Sequence, residues 1–276
     1  MSVDPFSVPY LAHNLHPAYV LRFDWTGWPT EGVVLPAEAV TVARSIAPAW
    51  EADGLRLLKP HATAETVQLL FSVTPPVSPT FFCMRAKGRL QHALRRAGAP
   101  VEFSRKVGFR CLGENTSRVV EEYIRKQVGK AELADVRYAT VLRTFTAVRE
   151  EVDLAQPTES SSGRYWYNLH IVLVMADRFR ITNPAVLGRI RDAAIATAEA
   201  GGHGLAAVAV MPDHAHLAVR GHIERSPEEI ALQFQNALAR AVGCRAWQDG
   251  FYVGTFSEYG LDVIRRLTRT SPSPAG

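Results

Sequence analysis

The chain has 276 residues, of which 47% are apolar, and a formal net charge of +4. This length allows one large domain or two small ones with their own cores, and the mild positive charge permits a nucleic-acid partner without requiring one. No run of about eighteen apolar residues predicts a membrane span, and the first residues lack the basic and apolar regions of a signal peptide. With three scattered cysteines (Cys83, Cys111 and Cys244), these features predict a cytoplasmic protein.

The first half alternates strand and helix patterns. Apolar runs of strand length predict four strands, at 18–25, 55–59, 66–73 and 106–112. Apolar residues at helical spacing predict three helices, at 37–52 with a bend near Pro48, at 79–96 after Ser78, and at 118–128 after a turn and cap. The predicted order is therefore β-α-β-β-α-β-α.

The segment after residue 128 loses this periodicity, although 139–148 could add a strand. Residues 156–163 read Gln-Pro-Thr-Glu-Ser-Ser-Ser-Gly and carry too little apolar surface to pack, which predicts a flexible linker. We therefore expect one domain at 1–135, a linker at 136–164, and a second domain at 165–276.

The second half repeats the first, an internal repeat that determines how the chain is interpreted. Strands are predicted at 165–175 and 250–256, a hairpin at 205–220, and helices at 184–200, 227–242 and 261–268. The order β-α-β-β-α-β-α thus occurs twice.

The hairpin of the second half carries two histidines on one face. Leu205–Val210 is an apolar strand, Pro212 and Asp213 form a turn, and a second strand follows. Because strand side chains alternate between faces, His214 and His216 point the same way. Two imidazoles in this arrangement can hold a metal ion; a surface pair or a hydrogen-bonded core pair is the alternative. Asp213 is expected to stabilise the turn.

A second candidate group lies on the helix predicted at 118–128. Tyr123 and Gln127 are four residues apart, so a helix places them one turn from each other on one face. Without further context, a half-buried tyrosine on an ordinary amphipathic helix would be the better explanation of this pattern.

Both groups resemble one known family. The string Met-Pro-Asp-His-Ala-His-Leu at 211–217 resembles the HUH motif (histidine, hydrophobic residue, histidine) of the single-tyrosine transposases of insertion sequences and of their REP-associated relatives. Tyr-Ile-x-x-Gln at 123–127 resembles the tyrosine helix of that family, as does the lead-in at 103–113. The resemblance covers most of the chain and implies an α+β fold of two tandem ferredoxin-like domains.

The family resemblance also implies a reaction. In this family a tyrosine attacks single-stranded DNA near a hairpin and forms a 5′-phosphotyrosine, and the HUH histidines and a polar residue on the tyrosine helix hold Mg²⁺ or Mn²⁺. Carried over to this chain, Tyr123 is the nucleophile, and His214, His216 and Gln127 are the metal ligands.

The two halves divide these residues between them. An ungapped match of Ser78 to Ser226 aligns Thr66 with His214 and Gln68 with His216, and a separate match of the last helices aligns Tyr123 with Arg266. Since homodimers of the family can form composite sites, we expect this chain to be a monomer that acts as an internal pseudo-dimer with one surviving site. A nucleophile from the second half itself, Tyr259, is the alternative.

A basic region precedes the tyrosine helix and supplies the candidate DNA contacts Arg85, Lys87, Arg89, Arg105, Lys106 and Arg110. A solvated helix face is the other explanation for these charges. Candidate stacking residues for single-stranded bases are Trp25, Trp28, Phe81, Phe82, Trp247 and Tyr252, each of which could equally be a core residue. No partner is predicted for His170.

Two other functions fit the same motifs. An HUH replication initiator or relaxase shares the chemistry but usually orders its motifs differently. A decayed transposase that only binds a DNA hairpin is the non-enzymatic alternative, because each half has lost part of its site.

Overall fold

The computed structural model describes residues 9–130 and 136–258, which form an α+β structure. Its strands are β1 (Ala18–Val20), β2 (Arg22–Pro29), β3 (Leu55–Ala62), β4 (Val67–Val73), β5 (Phe103–Leu112), β6 (Thr146–Val148), β7 (Thr158–Ser160), β8 (Gly163–Trp166), β9 (Asn168–Val174), β10 (Gly204–Val210), β11 (His214–Arg220) and β12 (Tyr252–Phe256). Its α-helices are α1 (Ala39–Ser45), α2 (Ala47–Glu51), α3 (Pro79–Arg96), α4 (Ser117–Arg125), α5 (Gln127–Lys130), α6 (Val136–Arg143), α7 (Pro184–Ala200) and α8 (Pro227–Val242).

The strands form two six-stranded mixed sheets. The first sheet has the order β3-β4-β2-β5-β8-β7, and the second has the order β1-β12-β9-β11-β10-β6. Four strands of each sheet are antiparallel neighbours in corresponding positions, β3-β4-β2-β5 in the first and β10-β11-β9-β12 in the second. The repeat predicted from the element order is therefore also a repeat of strand order.

The two sheets exchange strands where the halves meet. β1 belongs to the first half but runs parallel to β12 in the second sheet, and β8 runs parallel to β5 in the first sheet. The chain crosses from one sheet to the other at two points, at buried Leu21 between β1 and β2 and at buried Tyr167 between β8 and β9. Gly113 and Gly163 lie where the two halves meet. A Cβ added to Gly113 would lie 2.1 Å from Thr255 O, and one added to Gly163 would lie 2.0 Å from Val107 O. Only glycine permits backbones to approach so closely.

The main core lies on one face of each sheet, under the helices. In the first half, Phe82 of α3 packs edge-to-face on Phe23, Phe71 and Phe109 of the sheet, and such aromatic pairs contribute about 0.5–1.5 kcal/mol beyond burial alone. In the second half, α7 and α8 pack on the equivalent face. The predicted start of α3 is confirmed, since the Ser78 side chain accepts a hydrogen bond from Phe81 N.

The other face of the second sheet is covered by α4 of the first half. Val120 and Ile124 of this helix form a buried cluster with Ala207, Ala209 and Ala218 of the sheet. Alanine side chains on that face let the helix approach closely, while the alternate residues of β10 face the main core. A strand buried on both faces explains the uninterrupted apolar run at 205–210.

The segment expected to be a linker is structured. Residues 136–143 form α6 instead of the start of a strand, and β6 pairs with β10 at the edge of the second sheet. The polar stretch that was predicted to be flexible forms β7 and enters β8, which pairs with β5. The prediction was wrong because the unpaired edges of both sheets offer hydrogen bonds to any extended chain, whatever its apolar content.

The strand registers revise the matching of the two halves. If Gln68 matches His216, the cross-strand row Gln68–Thr26–Gly108 corresponds to His216–Val172–Tyr252. Gly108 then matches Tyr252, whereas the sequence match that aligns Tyr123 with Arg266 starts by pairing Gly108 with Gly250. The next row matches Leu70, Asp24 and Arg110 with Ala218, His170 and Gly254.

No helix in the described part of the chain is long and apolar enough to cross a membrane. The helix predicted at 261–268, with Arg266 and the alternative nucleophile Tyr259, lies outside the described residues.

Candidate active site

The packing of α4 on the second sheet brings together residues from the two halves. The ring of Tyr123 lies 5.4 Å from the ring of His216 and 6.1 Å from that of His170, both in edge-to-face geometry. The ring of His214 is 4.9 Å from that of His216. Tyr123 is 39% exposed, because it stands beside the buried stripe of α4 that holds the helix on the sheet.

His214 is oriented by the residue that precedes it. Its Nδ1 lies 2.7 Å from Asp213 Oδ1, and Arg178 donates to the other carboxylate oxygen at 3.2 Å. Burial raises the pKa of Asp213, but the hydrogen bonds from His214 and Arg178 outweigh it and the net pKa is lowered. An ionised carboxylate on Nδ1 directs the lone pair of His214 to Nε2, as in many metal-ligating histidines. Asp213 thus contacts the candidate ligand as well as forming the turn.

His216 has an imidazole partner that sequence reasoning missed. Its Nδ1 lies 3.1 Å from Nε2 of His170, and the two rings are stacked with centroids 5.3 Å apart. His170 lies on β9 beside β11, and burial lowers its pKa to about 4, so it is neutral at pH 7. When His216 Nδ1 donates to it, Nε2 of His216 carries the lone pair.

A sequence signal for His170 existed. Asn168 and His170 stand two residues apart in an otherwise apolar strand, which places both on one face. The strand pairing puts that face beside the histidines of β11, but no feature of the sequence alone indicates which strands are neighbours.

Gln127 lies just past the tyrosine helix. α4 ends at Arg125, and Gln127 begins the short helix α5, so the uninterrupted helix predicted at 118–128 breaks at Lys126. The Gln127 side chain is buried, and its Nε2 donates to Tyr123 O at 3.1 Å. This bond fixes the side-chain amide to the turn of helix that carries Tyr123.

The imidazoles of His214 and His216 are adjacent, and the amide of Gln127 is held against the helix turn that carries Tyr123. Within the described ranges, no group of three or more His, Cys, Asp or Glu side chains could hold a metal ion. A metal here would therefore need a ligand of another type, such as the Gln127 amide oxygen or an oxygen of the substrate. The two Nδ1 contacts, to Asp213 and to His170, are consistent with Nε2 atoms that bind a cation.

The predicted basic region is divided by the first sheet. Arg85, Lys87 and Arg89 lie on α3, where Arg89 pairs with Asp53 at 2.6 Å and Lys87 donates to Ser104 O at 2.8 Å. Lys106 and Arg110 lie on the opposite face of the sheet, away from the helices, and Arg105 is exposed on β5. The six residues therefore do not form one surface.

Most of the aromatic candidates belong to the core. Trp25, Phe82 and Trp247 are buried, and Phe81 is half-buried under the guanidinium of Arg85. Only Trp28 and Tyr252, which are 39% and 36% exposed, could stack on a base. Tyr252 lies next to the site, with its ring 6.0 Å from that of His170.

Comparison with known proteins finds one family match, and it lies in the second half. Residues 164–267 match the family model described as "Transposase IS200 like", so the second half is similar to transposases of this kind. The match covers less than half of the chain; it includes His214 and His216 and excludes Tyr123 and Gln127. No curated protein matches the chain.

Proposed function

We propose that this protein is a metal-dependent single-stranded DNA transposase that nicks and rejoins DNA through a 5′-phosphotyrosine at one composite site. The observation that carries this proposal is the contact between Tyr123 of the first half and His216 of the second, with ring centroids 5.4 Å apart. The family match favours transposase chemistry for the half that holds the histidines, and α4 places the ring of Tyr123 beside His216.

Tyr123 performs the covalent step in this proposal. Its phenol oxygen attacks the phosphorus of a phosphodiester, the bond from phosphorus to the 3′ oxygen breaks, and that oxygen leaves as a 3′-hydroxyl with a proton. The strand downstream of the cleaved bond stays attached to the tyrosine through its 5′-phosphate. Attack by another 3′-hydroxyl reverses the step and rejoins a strand without an external energy source.

His214, His216 and Gln127 fit a divalent cation, Mg²⁺ or Mn²⁺. The fit rests on Nδ1 contacts that direct both imidazole lone pairs outward and on the fixed amide of Gln127. A bound cation would neutralise charge on the scissile phosphate and orient it. The chain itself contributes the orientation of these ligands, through Asp213 and His170, and the placement of Tyr123 beside them.

The proposed architecture is a fused pseudo-dimer of two ferredoxin-like domains. Repeated antiparallel strand order and the mutual exchange of β1 and β8 support this interpretation. In such a molecule one half supplies the nucleophile helix and the other supplies the histidines, so the chain can act as a monomer on a DNA hairpin end.

Two alternatives remain distinct from this proposal. A replication initiator or relaxase would also form the phosphotyrosine but would act at an origin or transfer site, without a hairpin end. A decayed transposase would bind DNA and form no adduct.

The test is incubation of the full chain with single-stranded oligonucleotides from the flanks of its own gene and Mg²⁺ or Mn²⁺. We expect a covalent adduct, seen on a denaturing gel and mapped to Tyr123 by mass spectrometry. Binding without an adduct would support the decayed transposase, and an adduct on any other tyrosine would refute the composite site.

A further inference from the structure

The open face of the first sheet carries a cavity of about 780 Å³, within the range of ordinary ligand pockets. Its floor is formed by residues of β2, β4 and β5 that point away from the helices, and β8 closes one side. Its lining includes Asp24, Trp28, Gln68, Lys106, Arg110 and Trp166.

This face is the counterpart of the candidate active-site face. By strand register Gln68 occupies the position of His216, and Asp24 occupies the position of His170. α4 covers the second sheet at this position, whereas a cavity lies over the first. Here the row includes one imidazole, that of His61, which pairs with Gln68 and lines the cavity. The second sheet instead has two adjacent imidazoles on one strand, those of His214 and His216.

The walls of the cavity are aromatic. Trp28 lies over Gly108, where an added Cβ would come within 3.4 Å of the indole ring. The guanidinium of Arg110 lies 4.5 Å from the ring centre of Trp166. Flat indole and guanidinium surfaces are the surfaces on which single-stranded bases stack, at about 1–3 kcal/mol per base.

The floor of the cavity is polar. The Thr26 hydroxyl donates to Asp24 Oδ2 at 3.4 Å and accepts from Gln68 Nε2 at 3.5 Å. Hydrogen bonds of this length are weak, so a bound base can replace them with shorter ones. A carboxylate at the floor accepts hydrogen bonds from exocyclic amino groups, as it does from N4 of cytosine, whereas thymine offers an oxygen at the equivalent position.

The rim of the cavity is basic, and the chain leads from it to the candidate active site. Lys106 lies at the rim together with Arg164, whose exposed ion pair with Glu159 contributes little and can be exchanged for a phosphate. Trp166 and His170 are four residues apart on the same side of one extended stretch, which spans about 13 Å. A DNA strand bound at one position therefore reaches the other within a few nucleotides.

We propose that this cavity binds one nucleotide of single-stranded DNA, with an amino-bearing base stacked on Trp28 and Trp166 and facing Asp24. The substrate class rests on the proposed function, but the binding does not depend on cleavage. The former active-site face of the first half thus serves as a nucleotide subsite beside the composite site.

The test measures binding by the full chain carrying Tyr123→Phe, which cannot form an adduct, to labelled single-stranded dA10, dC10 and dT10. We expect dA10 and dC10 to bind more tightly than dT10. Trp28→Ala should weaken binding of dA10 and dC10 about tenfold, and Trp28→Phe should restore most of it, because stacking needs only a ring. Asp24→Asn should abolish the preference against dT10, because an amide can also donate to the thymine oxygen.

Tyr19→Ala is the matched control, because Tyr19 is as exposed as Trp28, at 43%, and does not line the cavity. It should leave all three affinities unchanged, and thermal unfolding should show that every variant is folded. Unchanged affinities in both Trp28→Ala and Asp24→Asn, or no binding by the parent chain, would overturn the subsite.

Cleavage by the chain with Tyr123 intact separates this proposal from the proposed function. If adducts form but the cavity variants bind and cleave like the parent, the subsite is wrong and the transposase assignment stands. If no adduct forms but the cavity variants lose affinity, the subsite stands and the transposase assignment fails.

Discussion

The same position in the two sheets holds Asp24 in one half and His170 in the other, and burial acts on the two groups in opposite directions. It raises the pKa of Asp24 to about 6 and lowers that of His170 to about 4. Both pKa shifts favour the uncharged form relative to the same group in water, because a partly enclosed sheet face solvates charge poorly. In the second half the neutral imidazole of His170 contacts His216, and in the first half the carboxyl group of Asp24 lies at the floor of a cavity.

The difference between the two faces lies in what covers them. α4 closes the second sheet and places Tyr123 beside the histidines, and its apolar side chains meet alanines there. On the first sheet the corresponding space is a cavity lined by indoles and basic groups. In the proposed pseudo-dimer, one sheet face would carry the chemistry and the other a binding subsite, since function depends on the site and not on the fold.

The largest expected effect concerns Tyr123. Tyr123→Phe keeps the ring and its packing on His216 but removes the attacking oxygen, so adduct formation should fall about 10⁴-fold or more. DNA affinity should stay within about twofold, since one exposed hydroxyl is lost. Denaturing gels measure adduct formation. The control is Tyr252→Phe, which lies beside the same site and should retain adducts.

The two sheets can be compared directly by removing corresponding side chains. His214→Ala or His216→Ala should lower the cleavage rate at least about a hundredfold, because a metal ligand is lost. Thr66→Ala should leave it unchanged, and Gln68→Ala should affect DNA affinity more than the cleavage rate at saturating DNA. An equal loss of rate in Thr66→Ala would show that the first sheet contributes to the chemistry.

His170 is expected to act through His216, as a positioning residue. His170→Ala should weaken Mn²⁺ binding about 10–100-fold, as measured by the free-ion signal in electron paramagnetic resonance, because the ligand loses its fixed orientation. His170→Gln keeps an acceptor for His216 Nδ1 and should recover much of the affinity. If both variants bind Mn²⁺ like the parent, His170 only fills space.

Asp24 should make the stability of the protein depend on pH. Its pKa of about 6 exceeds the ordinary value of 3.8, so the folded state holds this proton longer than the unfolded state. The stabilising effect is complete below pH 4 and disappears as the pH rises through 6. Asp24→Asn should therefore raise the free energy of unfolding by about 1–3 kcal/mol at pH 8, and by much less at pH 4. Urea titrations at both pH values measure this, and an equal effect at both would exclude the titration.

The smallest effect separates the two parts of the basic region. Lys106→Ala, on the cavity side, should lower the slope of log affinity against log salt by about 0.7, the value for one contact with single-stranded DNA. Arg89→Ala, on α3, should leave the slope unchanged, since its guanidinium is paired with Asp53. A reversed result would move the DNA to the helix side of the first sheet.

The sequence by itself predicted most of the local structure. Helix starts at Ser78 and Ser226 and the hairpin around Asp213 follow from caps and turn residues, which act over a few neighbouring residues. The repeat of strand order was visible in the predicted order of elements. The spacing of His214 and His216 placed both on one face of a strand, because side-chain alternation is a local property.

Only the tertiary structure decided which residues meet. The contact of His216 with His170 and the close approach of Tyr123 depend on strand order and on the docking of α4, and these are set by packing between distant segments. The structured course of residues 156–166 and the division of the basic region between two faces have the same cause. A sheet edge pairs with whatever extended chain is near, and a sheet separates residues that are neighbours in sequence.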